Sequence, residues 1–228
     1  MRFKDVFSII GPSMIGPSSS HTAGAVRIGR VARHLAGGLP EKADIYLYGS
    51  FAETYRGHGT DLALAGGLMD FHTDDARIKD SLELAEQAGM EVVFHPMTQP
   101  LPHLHPNTAR LVIQRKGNTF EIAGCSIGGG NIEIVQINGY AISFTANYPT
   151  LLIFHEDRKG MIALMTHILQ QYDANIGFMK VERKSRSGDV LTVIELDDAK
   201  DREIVKQLRM LPHVRAVHFI HLGEGERE

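Results

Sequence analysis

The sequence holds a single cysteine, Cys125, among 228 residues. One thiol excludes an internal disulfide and fits a reducing compartment. It also limits metal chemistry: an iron–sulfur cluster usually takes three or four thiolates and structural zinc takes several Cys or His, so this chain cannot anchor a cluster without another chain. A lone Cys in Ala123-Gly124-Cys125-Ser126, at the end of an apolar stretch, reads as a small buried residue. A surplus of positive charge is missing too, with 24 Lys and Arg against 27 Asp and Glu, a formal charge of -3. That leaves no basic field to hold a phosphate backbone, so nucleic-acid binding is not expected. Long apolar runs are also absent. None approaches the roughly 20 residues of a transmembrane helix, and Met1-Arg2-Phe3-Lys4-Asp5 does not begin like a signal peptide. These absences together predict a cytoplasmic protein without membrane contact.

What is present reads as an ordinary globular chain, 43% apolar and 22% charged, long enough for an adequate core and for two domains. Val26, Ile28, Val31, Ala32 and Leu35 recur at near-helical spacing and stop at Gly37-Gly38, which predicts a first helix with a glycine end. Ala43–Tyr48 alternates as a strand. A Gly/His-bearing stretch follows, then helices over Asp61–Met69 and Ala76–Ala88, the latter closed by Gly89, and a strand over Met90–His95. Proline-rich Pro96–Pro106 predicts an irregular loop. Two hairpins are expected next, around Gly117-Asn118 and around Asn138-Gly139, the second being the strongest short hairpin signal. After Pro149 the order restarts as β-α-β-β-α-β, a ferredoxin-like unit. The expected class is α+β, with domains at 1–148 and 149–228 and a frayed tail from Gly223.

The densest hydrogen-bonding chemistry is Gly16-Pro17-Ser18-Ser19-Ser20-His21-Thr22 at the head of the first helix. A helix N-terminus attracts anions through free amides and its dipole, so a carboxylate or phosphate fits there. The alternative is that Ser20 or Thr22 caps the helix and the remaining serines are solvated. Gly49-Ser50-Phe51-Ala52-Glu53-Thr54 and Gly57-His58-Gly59-Thr60-Asp61 follow the first strand, where loops commonly present functional groups. His58 stands between two glycines, which leaves ligand approach open; equally, it is a loop residue with Thr60 or Asp61 capping the next helix. Gly128-Gly129-Gly130-Asn131 is a permissive turn, able to present amides or simply to connect. His95, His103 and His105 suggest a metal site, but no further ligand at a familiar spacing accompanies them.

In this order and at these distances, the Ser/His/Thr run, Tyr48-Gly49-Ser50-Phe51-Ala52, Gly57-His58-Gly59-Thr60-Asp61 and Gly128-Gly129-Gly130-Asn131 resemble the β chain of two-chain, iron–sulfur-dependent L-serine dehydratases. The C-terminal β-α-β-β-α-β order resembles an ACT regulatory domain. The resemblance implies conversion of L-serine to pyruvate and ammonia, with a [4Fe-4S] cluster held by a cysteine-bearing α chain and an open iron acting as Lewis acid. No metal ligand is expected in this chain. His58 is implied as the acid/base residue and His21 as the runner-up. Ser18, Ser19, Ser20, Thr22, Ser50, Thr60, Asp61 and Asn131 are implied to bind substrate. In the second domain, Asp157, Arg158, Lys159 and Gly160, with Asn175 and Ile176, are implied to hold a small amino-acid effector between paired subunits; otherwise Asp157 caps the helix and the domain only dimerises. The N-terminal part also resembles the substrate-binding domain carried by some phosphoglycerate dehydrogenases. A non-catalytic serine sensor is therefore the alternative to the enzyme subunit.

Overall fold

A computed structural model of the chain describes residues 13–99, 105–184, 188–198 and 203–223. Contacts divide it into two compact units, Met1–Asn138 and Gly139–Glu228. The division falls at the predicted Asn138-Gly139 turn, where both residues have positive φ, 48° and 79°, as a tight hairpin turn demands.

In the first unit, helix α1 (Gly24–Ala36) buries Val26, Ile28, Val31, Ala32 and Leu35 completely. It ends where expected, at Gly37 in the left-handed conformation, whose amide bonds the carbonyl of His34 at 3.1 Å while that of Gly38 bonds Arg33. Strand β1 (Lys42–Tyr48) leads into a short helix α2 (Ser50–Thr54) and then α3 (Thr60–Leu68). The single helix expected over 76–88 is two elements. Asp75 caps a 3-10 turn, Ala76–Asp80, through the amide of Arg77, and α4 (Ser81–Gln87) follows. Strands β2 (Glu91–Pro96), β3 (Thr108–Arg115), β4 (Asn118–Gly128) and β5 (Asn131–Ile137) complete the unit. The expected hairpin strands at 111–115 and 120–123 lie inside the longer β3 and β4. Of the loop expected over Pro96–Pro106, residues 100–104, including His103, lie outside the described residues.

The strand order within this unit is β2-β1-β3-β4-β5, with β1 parallel to β2 and antiparallel to β3. Ile45, Leu47, Leu111, Ile113, Ile122 and Ile134 are fully buried on the helix-covered face, where a Cβ at Gly124 would meet Ile28 of α1 at 3.1 Å. The opposite face carries a polar ladder. His95 bonds Asp44 at 2.9 Å and stacks on Tyr46 at 4.6 Å, while Arg110 lies 4.5 Å over the Tyr46 ring and bonds Glu121 at 3.1 Å.

Helices α1 and α3 touch backbone to backbone. A Cβ at Gly29 would sit 2.5 Å from the Leu64 carbonyl oxygen, and one at Gly67 would sit 2.9 Å from the Arg30 amide nitrogen. Neither position has room for a methyl group.

The second unit holds β6 (Tyr140–Phe144), β7 (Thr150–Glu156), α5 (Met161–Gln171), β8 (Ile176–Arg183), β9 (Asp189–Leu196), α6 (Glu203–Met210) and β10 (Val214–Ile220). From β7 onward this is the β-α-β-β-α-β order, with strands arranged β10-β7-β9-β8. Leu151, Ile153, Met165, Leu169, Ile194, Leu208 and Val217 form its core between the sheet and the two helices. The chain is thus α+β, with a ferredoxin-like second unit. Among the described residues no helix is long and apolar enough to cross a membrane.

Replacing Gly67 with Ala should destabilise the protein by about 1–3 kcal/mol, the usual cost of overpacking, despite alanine's better helix propensity. Urea unfolding of Gly67→Ala beside Gly57→Ala, where the added Cβ meets nothing closer than the Thr54 carbonyl oxygen at 3.7 Å, checks this. Equal effects of the two changes would contradict it.

Candidate active site

The Ser/His/Thr run folds as a π-helical turn, Ser19–Ala23, joined directly to α1. Such turns are rare and gather at functional sites. Its cap is neither Ser20 nor Thr22. Ser18, in extended conformation, accepts a hydrogen bond from the His21 amide through its side chain. The Thr22 hydroxyl turns inward, donating to the Ser18 carbonyl and lying 3.7 Å from the Met14 sulfur.

His21 is 9% exposed and held at both ring nitrogens, Nδ1 lying 3.3 Å from Ser18 Oγ and Nε2 lying 3.1 Å from Ser50 Oγ. Ser50 begins α2 just after Gly49, whose φ of 53° and close approach to the Pro106 carbonyl allow no side chain. Phe51 stands edge-on to His21 at 5.3 Å. His58 meets His21 at 4.7 Å between ring centroids with the planes at 89°. Two motifs far apart in sequence therefore share one site.

The helix pair explains the meeting. His21 lies eight residues before Gly29 and His58 nine before Gly67, so both histidines stand at the same ends of two helices locked at those glycines. Gly59, left-handed at φ 69°, turns the chain from His58 into α3. The His58 side chain is exposed and makes no hydrogen bond among the described residues, whereas its amide bonds Thr54 O at 3.0 Å.

Other expected residues serve differently. Ser19 and Ser20 are half-buried at the start of the π-turn, where amides lack intrahelical acceptors. Thr60 is fully buried, and its hydroxyl has no hydrogen-bond partner among the described residues. Asp61 turns back on its own helix, accepting from the Leu62 amide at 2.9 Å. Asn131 closes the triple-glycine turn by donating to Gly128 O at 3.3 Å, and no contact joins it to the histidine pair among the described residues.

Sequence reasoning missed Arg27 and Phe51. Arg27 donates to Gly130 O at 3.1 Å, tying the glycine turn to α1; burial, with Arg30 nearby, pushes its guanidinium down to about 10. A second cation three residues on, Arg30, on the same face of α1 was the available signal. Cys125 is 2% exposed, with Sγ 3.1 Å from Thr108 Oγ1. Among the described residues no three His, Cys, Asp or Glu side chains form a metal-binding group. His95 is occupied by Asp44.

In the second unit the six expected effector residues occupy two places. Asp157, Arg158 and Lys159 line a cleft of about 790 Å³ with Met161, Leu164, Arg183, Pro212 and His213. Asn175 and Ile176 line a separate hollow of about 350 Å³ beside α5. Gly160, left-handed at φ 87°, starts α5, so Asp157 is not its cap; the Asp157 carboxylate pairs with Arg183 Nε at 3.4 Å.

Residues 3–136 match the family model for the serine dehydratase beta chain. The whole chain is 47% identical over 214 residues to the "Probable L-serine dehydratase, beta chain" of Bacillus subtilis (strain 168), spanning 94% of this chain and 96% of that protein. It is 40% identical over 192 residues to the L-serine dehydratase beta chain of Peptoniphilus asaccharolyticus, spanning 84% and 86%. A shorter likeness, 34% over 108 residues, reaches the D-3-phosphoglycerate dehydrogenase of Bacillus subtilis (strain 168), covering 46% of this chain and 20% of that protein. The chain belongs to the serine dehydratase beta-chain family.

Burial holds the His21 pKa below its usual 6.5, the neighbouring His58 lowers it further, and a hydrogen bond to Ser50 works the other way. The unfolded chain therefore binds more protons between the folded pKa and 6.5. His21's contribution to stability is complete above 6.5 and is lost as pH falls through that window. An NMR titration should show a His21 midpoint below 6.5 that rises in His58→Asn yet stays depressed, because burial is the larger cause. A midpoint that does not move on removing His58 would contradict the paired geometry.

Proposed function

We propose that this chain is the catalytic partner subunit of an L-serine dehydratase that converts L-serine to pyruvate and ammonia together with an α chain. The observation that supports this most is the edge contact of His21 and His58, with Ser18 and Ser50 on the two nitrogens of His21. The [4Fe-4S] cluster implied by the family does not fit this chain's residues, since its one thiol is buried and faces Thr108. We therefore assign the cluster to the α chain.

In this reading an imidazole nitrogen of exposed His58 takes the α-proton of L-serine. His21 is the positioning residue: clamped by two serines and neutral at pH 7, it places no charge against the substrate ammonium or against a protonated His58. The hydroxyls and open amides of Ser19 and Ser20 hold the substrate carboxylate. The unpaired hydroxyl of Thr60 is a further donor at the same end of the helix pair. Thr22, Asp61 and Asn131 shape the backbone around the site rather than meet substrate.

We read residues 149–228 as an ACT domain that self-associates and senses an effector, and 1–148 as the substrate domain. The single Cys supports a cytoplasmic location. A second reading, a non-catalytic serine sensor, draws on the likeness to phosphoglycerate dehydrogenases.

Anaerobic mixing with the α chain tests the choice between these readings. The mixture should show oxygen-sensitive serine deamination, while this chain alone remains iron-free and inactive. His58→Asn should lower kcat of the complex by roughly 10²–10⁴-fold, and Ser19→Ala should mainly raise KM. Unchanged turnover in both His58→Asn and His21→Asn would leave only the sensor.

A further inference from the structure

The cleft at the start of α5 carries three basic side chains, Arg158, Lys159 and Arg183, to one carboxylate, Asp157, and His213 lines it as well. The cations are only partly spent. Asp157 meets Arg183 at Nε, 3.4 Å away, and no ion pair engages the terminal nitrogens of that guanidinium among the described residues. Arg158 gives Nε and one terminal nitrogen to a single oxygen of Glu156, each at 3.2 Å. Lys159 is exposed and pairs with no acid among the described residues. Glu156, which stands outside the lining, already serves Arg158, His213 at 3.2 Å and Arg215 at 3.7 Å.

The walls are fixed before any ligand arrives. The Asp157 amide bonds Gly188 O at 2.9 Å and the Glu156 amide bonds His213 O at 3.0 Å, with His213 itself held at φ 67°. Helix α5, eleven residues long, begins at the cleft from Gly160 without a side-chain cap, so its first-turn amides add to the positive potential. Leu164 and Pro212 supply apolar surface for a carbon skeleton. A volume of about 790 Å³ lies within the range of small-molecule sites and far exceeds one inorganic ion.

We propose that this cleft binds a small organic polyanion, a polycarboxylate or phosphorylated metabolite, using Arg158, Lys159, Arg183 and His213, none of which belongs to the serine site. Its use in regulation rests on the reading of the second unit as an effector domain; the binding itself does not. Titration calorimetry on the full chain, with citrate and pyrophosphate as probes and L-leucine as the zwitterionic control, separates the two. At least one polyanion should bind, with affinity falling at least tenfold in both Lys159→Ala and Arg183→Gln, while thermal melting of the free variants stays near that of the parent. The preferred probe distinguishes carboxylate from phosphate. Absence of binding by both polyanions, or binding unaltered in both variants, overturns the proposal. Binding by the chain in a preparation that gives no lyase with the α chain would keep the cleft and remove only its link to serine deamination.

Discussion

The site depends on one steric constraint, the contact of α1 and α3 across Gly29 and Gly67. Each glycine faces the other helix's backbone where a side chain would collide, and the two helices approach more closely there than side chains ordinarily permit. At 1.5 Å per residue, the eight or nine positions back to His21 and His58 span about 12–14 Å, so a small change in crossing angle becomes a displacement at the ring pair. A histidine pair with centroids 4.7 Å apart is thus set by residues that carry no chemistry. The π-turn adds a local adjustment: Ser126 Oγ occupies the place a Gly24 Cβ would take, packing β4 against the head of α1. That hydroxyl is buried without a hydrogen-bond partner, a cost that packing must offset.

Much of this was legible in the residues. The periodicity of Val26 to Leu35 and the stop at Gly37 define α1, Asn138-Gly139 defines a turn, and the order after Pro149 defines the ferredoxin-like unit. These signals are local, and the backbone obeys them. Helix α2 was not legible because five residues, Ser50–Thr54, show too little periodicity. The helix expected over 76–88 divides because Asp75 captures the Arg77 amide and draws the first turn into 3-10 geometry. The π-turn also escaped notice, since an i→i+5 turn leaves no mark on apolar spacing.

At the site, the sequence named both histidines and Ser50 but could not divide labour among the hydroxyls. Thr22 and Asp61 look like ligand donors in one dimension. In space each is taken up by nearby backbone. Arg27, one charge among several on α1, reaches Gly130 across the fold. Long-range pairings of this kind have no periodic signature. The residues expected to hold an effector illustrate the same limit: the contiguous loop Asp157–Gly160 and the pair Asn175 and Ile176 fall at two different hollows of the same unit.

The central claim is that this chain carries the base for α-proton removal. The primary isotope effect with L-[2-²H]serine in the complex with the α chain tests it most directly. If His58 takes that proton, His58→Asn makes the step rate-limiting, and the isotope effect on kcat rises above that of the parent complex, toward the full value for breaking a C–H bond. A variant slowed a hundredfold or more with an isotope effect near unity would place the base elsewhere and contradict the account.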